Sequence, residues 1–255
     1  MKFEEKDILN RTTLLLGSPV MEKVAAARVI LFGVGGVGSW CAESLVRSGI
    51  RKLTIVDPDV VCVSNVNRQC MATGSTVGRV KVEALKERLM DINPAARIKA
   101  VQAVFSADTA QDYHLEEYDY IIDAIDSLKD KIELIVRATD KELRGPKLFS
   151  AMGAALKIDP TQIHVSEFWD VRGCPLGAIL RKRMRKTGRL PGRKFQCVWS
   201  PEVLPNLGEA ERCDASGNLF QKAQINGTTA HITGLFGFTL AGLVLEGLLP
   251  PMGDN

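Results

Sequence analysis

Short apolar runs alternate with amphipathic stretches through the first 150 positions of the chain. Residues 28–34, "RVILFGV", are apolar nearly throughout, as a strand covered on both faces should be. Residues 39–48 then read as a helix that Gly49 closes, and "KLTIVD" (52–57) reads as a second strand ending on an acid. Across 80–92 the apolar positions 82, 85, 89 and 92 share one helical face, and "NP" at 93–94 ends it. Three further strands are predicted in "IKAVQAVF" (98–105), "YDYIIDAID" (118–126) and "PKLFSAM" (146–152), with a helix over "KIELIVRATD" (131–140) between the last two. Repeated strand–helix–strand units bury parallel strands under helices. The expected fold class is therefore α/β, a doubly wound, mostly parallel Rossmann-like sheet.

Beyond Gly153 the pattern loosens into a C-terminal, substrate-facing extension. It holds a strand over "TQIHVSEFWD" (161–170), a basic stretch, a loop-rich region and an apolar helix over 232–249. A single domain over 1–255 is expected, with a nucleotide-binding core at 11–157 and a substrate-facing and C-terminal helix region at 158–255. The last helix is nearly long enough to span a bilayer, yet Glu246 and several glycines interrupt it and no basic anchor follows. A buried helix, on the sheet or at a dimer interface, is expected instead, and contact with a membrane is not.

Composition adds little about partners, because 33 basic and 30 acidic residues nearly cancel to a net charge of +3. Six cysteines, at 41, 62, 70, 174, 197 and 213, form no C-x-x-C pair, so no structural zinc is expected. Reduced thiols and an acidic N-terminus without the apolar core of a secretory signal lead to the expectation of a cytoplasmic protein.

The turn after the first strand carries Gly33, Gly35, Gly36 and Gly38. Bare backbone at the start of a helix lets phosphate approach unpaired N–H groups. Asp57, nineteen residues beyond Gly38, stands where a carboxylate takes ribose hydroxyls. By themselves these features leave NAD, FAD, ATP and S-adenosylmethionine open, and a plain glycine turn with a capping acid as well. The next segment, "VDPDVVCVSNVNRQC" (56–70), bunches Asn65, Asn67, Arg68 and Gln69. Hydride transfer has no use for such a cluster, and no histidine is placed to relay its proton. A site that transfers a nucleotidyl group needs cationic donors on the phosphates, and Lys81 at the start of the next helix adds one. Asp126 and Ser127 of "DAIDS" lie at a strand's C-terminal end, where Asp126 is a candidate Mg2+ ligand. Read alone, Lys81 is equally a solvated helix lysine and Asp126 a helix cap.

Taken together, "GVGGVG", "VDPDVVCVSNVNRQ", "VGRVKVE", "INP" and "DAIDS" resemble the ubiquitin-activating-enzyme-like adenylating superfamily (the ThiF, MoeB and HesA type). The resemblance implies ATP with Mg2+ and a catalytic set of Arg11, Arg68, Lys81 and Asp126. The nucleotide would also meet Gly33, Gly35, Gly36, Gly38, Asp57, Asn65, Asn67 and Ser127. Arg11, in "RTTLLLG", would reach the γ-phosphate from the other subunit of a homodimer. Within the superfamily, "RTTLLLG", "GVGGVGSW", "IDAIDS" and "KIDPTQIHVSE" are similar to the tRNA threonylcarbamoyladenosine dehydratases. That likeness implies adenylation of the threonylcarbamoyl carboxylate on tRNA, then cyclisation with loss of AMP. A sulfur-relay protein is a further candidate partner. The alternative is adenylation of a ubiquitin-like sulfur-carrier protein, whose activators commonly carry two C-x-x-C pairs that this chain lacks. An idle, partner-binding module is a third reading.

Residues 180–195, "LRKRMRKTGRLPGRKF", hold eight basic residues and no acid: Arg181, Lys182, Arg183, Arg185, Lys186, Arg189, Arg193 and Lys194. They are read as a flexible loop that grips the tRNA backbone, with a merely solvated loop as the alternative. "CVWSPE" (197–202) is similar to the segment after that loop in the dehydratases. Cys213 is a weak candidate nucleophile. His114 and His164 read as structural or surface residues, and His231 as a weak candidate to line the site.

Overall fold

The structure, a computed structural model, describes residues 4–208 and 226–250. Three helices open it, α1 (Glu5–Ile8), α2 (Asn10–Leu16) and α3 (Ser18–Ala26). The predicted units follow as β1 (Arg28–Phe32), α4 (Gly36–Arg47), β2 (Lys52–Val56), α5 (Lys81–Ile92), β3 (Arg97–Val101), β4 (Tyr120–Asp123), α6 (Leu128–Ala138) and β5 (Lys147–Ala151). The chain then runs through β6 (His164–Glu167), α7 (Pro175–Thr187), β7 (Gln196–Trp199) and α8 (Ala230–Glu246).

Seven strands form one sheet in the order β3-β2-β1-β4-β5-β7-β6, parallel except where β6 pairs antiparallel with β7. From β1 the chain moves outward to β2 on one side and to β4 on the other. The strand order thus reverses beside β1, and a crevice opens above the C-terminal ends of β1 and β4. One face packs against α4, α5 and α8 through residues such as Leu31, Ile55, Leu45 and Phe236; the other packs against α6 and α7 through Ile30, Phe32, Leu134 and Leu180.

The last helix is apolar all round because it is buried on most sides. A Cβ on Gly237 would lie 2.5 Å from Val37 O and 2.8 Å from Cys41 N, so α8 meets the α4 backbone directly. No helix among the described residues is long and apolar enough to cross a membrane.

Several expectations need correction. "IKAVQAVF" leaves the sheet at Val101; Phe105 instead packs edge-on against Phe32, ring centres 4.8 Å apart. The strand in 161–170 is confined to His164–Glu167 and lies at the sheet edge. "CVWSPE" contributes to a strand, β7, set between β5 and β6. The basic stretch is not a flexible loop through its first half. Gly177, Leu180 and Met184 recur at helical spacing and are buried, and Gly188 ends α7 in the left-handed conformation.

Candidate nucleotide site

The four glycines of the turn are there for two different reasons. Gly33 has φ +86°, and a Cβ on it would stand 2.6 Å from Ala124 O; one on Gly38 would stand 1.8 Å from Gly33 O. These two let β1, α4 and the loop after β4 close on each other. A Cβ on Gly35, by contrast, would meet nothing nearer than Gln69 Nε2 at 3.9 Å, while one on Gly36 would crowd the Thr233 side chain at 3.0 Å and Arg68 Cδ at 3.3 Å. Bare backbone at the α4 N-terminus is thereby left open next to an arginine, a floor suited to phosphate.

Asp57 extends from the end of β2 under this floor. Its carboxylate is buried and accepts the Val34 N–H at 2.8 Å and the Asp59 N–H at 3.0 Å. Burial pushes its pKa above the ordinary aspartate value, and the charge of Lys81, 3.9 Å away, opposes that rise. Lys81, the first residue of α5, is not a solvated helix lysine: its side chain is 8% exposed and its Nζ lies 2.8 Å from Asp59 Oδ2. Asp59, which sequence reasoning did not single out, completes this pair. Its signal was present in "DPD", an acid two residues beyond Asp57.

Asn65 is buried in the single turn Val63–Asn65, where its Oδ1 accepts the Cys62 N–H at 3.1 Å. Asn67 uses both ends of its amide inside the protein, accepting from Arg68 Nη1 at 2.9 Å and donating to Thr228 O at 3.1 Å. Its position orients Arg68 and ties that segment to the start of α8. Arg68 also donates to Ser64 O at 2.7 Å. Burial lowers the pKa of its guanidinium, and the facing charge of Asp126 raises it.

Asp126 is exposed in the loop 124–127, and the N-cap position of α6 belongs to Ser127 instead, whose hydroxyl makes no capping bond. The loop is held from below by a fully buried ion pair that the sequence did not disclose. Lys131 Nζ lies 2.8 Å from Asp123 Oδ2 and donates to Ile125 O at 3.1 Å. Asp123 further accepts from Ser150 Oγ (2.7 Å) and the Ile125 N–H (3.1 Å). An Asp in a strand and a Lys in the next helix give no local pattern to find.

Arg11 is not brought to this site. It is exposed on α2, whose Thr13 shares a groove with Gly49, Arg51, Lys52 and Arg97 at the opposite, N-terminal ends of β2 and β3. His231, the second residue of α8, has its Nε2 2.9 Å from Ile158 O, while His164 packs against Trp199, ring centres 5.1 Å apart. Exposed His114 takes a left-handed turn conformation, and Cys213 lies outside the described residues. Of the basic stretch, Arg189 pairs with Glu133 at 2.6 Å and Arg193 donates to Ala138 O (2.9 Å) and Pro146 O (3.2 Å). Lys182, Arg183, Arg185, Lys186 and Lys194 are exposed, and Arg181 is half-buried.

The chain matches the ThiF family over residues 9–251. It belongs to that family. It is 35% identical over 236 residues to the tRNA threonylcarbamoyladenosine dehydratase of Haemophilus influenzae, an alignment spanning 90% of this chain and 88% of its relative. The dehydratase of Bacillus subtilis is 33% identical over 243 residues, with 94% of each chain covered. The solved structure of E. coli tRNA N6-threonylcarbamoyladenosine dehydratase in complex with ATP superposes with a TM-score of 0.80 at 33% identity, covering 95% of this chain and 94% of that one. Within the ThiF family, the chain therefore falls with the dehydratases. Among the described residues no group of three or more His, Cys, Asp or Glu side chains gathers to hold a metal. A single carboxylate such as Asp126, whose charge faces Arg68, suits Mg2+, which is commonly bound by one or two carboxylates and substrate phosphates.

Proposed function

We propose that this chain uses ATP to convert threonylcarbamoyladenosine in tRNA to its cyclic form. The observation that carries the reading is the open backbone at Gly35, next to Gly36 and Arg68, in a chain that aligns along nearly its whole length with dehydratases, one of them solved with ATP. Asp57 accepts the ribose hydroxyls. The Gly35–Gly36 backbone and the α4 N-terminus receive the phosphates, and Asn67 holds Arg68 against them. An oxygen of the threonylcarbamoyl carboxylate attacks the α-phosphorus, a P–O bond forms, and pyrophosphate leaves. A nitrogen of the same side chain then attacks the acyl carbon, closing the ring and expelling AMP. Arg68 and Lys81 counter the charge that builds on the phosphates. Asp126 would hold Mg2+, which supplies further neutralisation of the leaving group when bound.

The reading includes a cytoplasmic homodimer. Arg11 lies far from its own chain's nucleotide floor, and Leu14 and Leu15 on the same helix are 81% and 82% exposed, as residues meant for a second copy would be. The exposed basic residues of α7 take the tRNA backbone. The relatives favour this reading over activation of a sulfur-carrier protein.

The test uses full-length protein, ATP, Mg2+ and tRNA carrying the open form, with the cyclic nucleoside measured by mass spectrometry. Lys81→Ala and Asp126→Ala are each expected to lower turnover at least ~100-fold, a loss typical of removing one transition-state charge contact. Binding of tRNA should change less than ~2-fold, since neither residue faces it. Normal turnover in either variant would remove that residue from the site.

A further inference from the structure

The turn Phe168–Asp170, between β6 and α7, gathers three guanidinium groups. Arg181 Nη1 donates to Phe168 O at 3.2 Å, with its guanidinium 6.0 Å from the centre of the Phe168 ring. Arg172 Nη1 donates to Trp169 O and, at 3.2 Å, to Val171 O. Arg185 lies over the Trp169 ring, 4.9 Å from its centre. Burial lowers the pKa of Arg181, and the charges of Arg172 and Arg185 lower it further.

Like charges do not gather without compensation, and the local acids supply little. Asp170 is 3.8 Å from Arg172 in a pair whose two side chains are each 69% exposed, a contact worth little in water. Glu167 turns an oxygen to the Trp169 N–H at 2.7 Å. Backbone carbonyls and aromatic faces hold the three cations in place instead. Each carbonyl takes only part of a guanidinium's five N–H donors, so the groups are fixed and still able to bind an anion. A half-exposed indole stacked on an arginine adds a planar surface of the kind that receives an unstacked base.

The cluster is connected to the reacting end of the molecule. A Cβ on Gly177 of α7 would meet Arg181 Nη1 at 3.5 Å and Met152 Sδ at 3.7 Å, and Met152 directly follows β5 at the C-terminal end of the sheet. From these contacts we infer that Arg172, Arg181, Arg185 and Trp169 form a docking station for single-stranded RNA. The arginines grip phosphates, and the Trp169–Arg185 stack receives one unpaired base. The station rests on the tRNA reading above and narrows it. Lys182, Arg183 and Lys186 supply general attraction, while Arg189 and Arg193, bound to Glu133 and to carbonyls, serve the fold.

Binding of tRNA carrying threonylcarbamoyladenosine is measured by fluorescence anisotropy, with inorganic polyphosphate as a base-free polyanion. Arg185→Ala and Trp169→Leu are each expected to weaken tRNA binding ~10-fold or more, the scale of one lost stacking contact. Lys182→Ala with Lys186→Ala should cost only ~3-fold and flatten the salt dependence. Trp169→Leu should leave polyphosphate binding unchanged, whereas Arg185→Ala weakens it. Trp169→Phe, which keeps a ring and its packing, should bind tRNA within ~2-fold of wild type and covers the case in which Trp169→Leu does not fold. Quenching of tryptophan emission by tRNA should fall in Trp169→Phe, leaving only what Trp40 and Trp199 contribute. At saturating tRNA, Arg185→Ala should keep its kcat and show a raised KM.

Wild-type binding by Trp169→Leu, or weak binding by Trp169→Phe, overturns the station. If Arg185→Ala and Trp169→Leu bind normally and the double lysine variant is weak, the station fails and the tRNA reading stands. If neutralising Arg181, Lys182, Arg183, Arg185 and Lys186 together leaves tRNA binding unchanged, the role of α7 in the tRNA reading fails as well.

Discussion

A methyl group on Gly38 would sit 1.8 Å from Gly33 O, and on Gly35 it would meet nothing nearer than 3.9 Å. These neighbouring glycines therefore answer different demands, and substitution separates them. Gly38→Ala must push β1 and α4 apart and is expected to cost more than ~3 kcal/mol, beyond the usual range for overpacking. Gly35→Ala should change stability by less than ~1 kcal/mol, since no protein atom opposes it. It should instead raise the KM for ATP, because its methyl would stand where the proposed reading brings the phosphates. Urea unfolding and ATP titration of the two variants measure both effects; a stable Gly38→Ala, or a Gly35→Ala with normal KM, would contradict them. A G-x-G-x-x-G pattern read from sequence treats these positions alike. Only the distances to Ala124 and Gly33 tell Gly33 and Gly38, which close the packing, from Gly35, which is open.

At the scale of elements, α4 carries the glycine turn proposed to receive the phosphates and is fixed by α8 through Gly237 and by α5 through Glu43. Glu43 is buried and bonds to Arg88 Nε at 2.6 Å and to Arg47 Nε at 2.9 Å. Burial raises its pKa, but the bonds and charges of Arg88 and Arg47 outweigh burial and hold it below the ordinary 4.5. A depressed carboxylate contributes stability that is complete above its unfolded pKa and lost as pH falls through the folded one. Glu43→Gln should therefore cost ~1–3 kcal/mol at neutral pH, and the difference from wild type should shrink below pH 4.5. Urea midpoints at neutral and acid pH check this; a deficit independent of pH would assign the loss to packing. Such cross-helix pairs are invisible in sequence, as is the Lys131–Asp123 pair under the Asp126 loop. Continuous apolar runs made β1, β2, β4 and β5 legible, and one helical face of apolar residues did so for α5. The basic helix α7 was obscured because its buried face consists of Gly177, Leu180 and Met184 among charged neighbours. The order β5-β7-β6 was equally hidden, since it depends on which edge pairs and not on any local pattern.

For the molecule as a whole, the reversal of strand order beside β1 puts Asp57, Arg68, Lys81 and Asp126 around one crevice from four separate segments. Their types and spacing were readable in advance; the partners Asp59 and Lys131, and the bond by which Asn67 holds Arg68, emerged from the fold. Arg11 lies at the opposite ends of the strands, so on the proposed reading it would act only across a dimer. The proposed function stands on one claim, that the carboxylate activated here belongs to a modified tRNA. Pyrophosphate exchange tests it most directly: purified protein, Mg2+, ATP and labelled pyrophosphate are mixed with tRNA bearing threonylcarbamoyladenosine, with unmodified tRNA, or with a sulfur-carrier protein. Label should enter ATP only with the modified tRNA. Exchange with the carrier protein alone, or with none of the three, would contradict that claim.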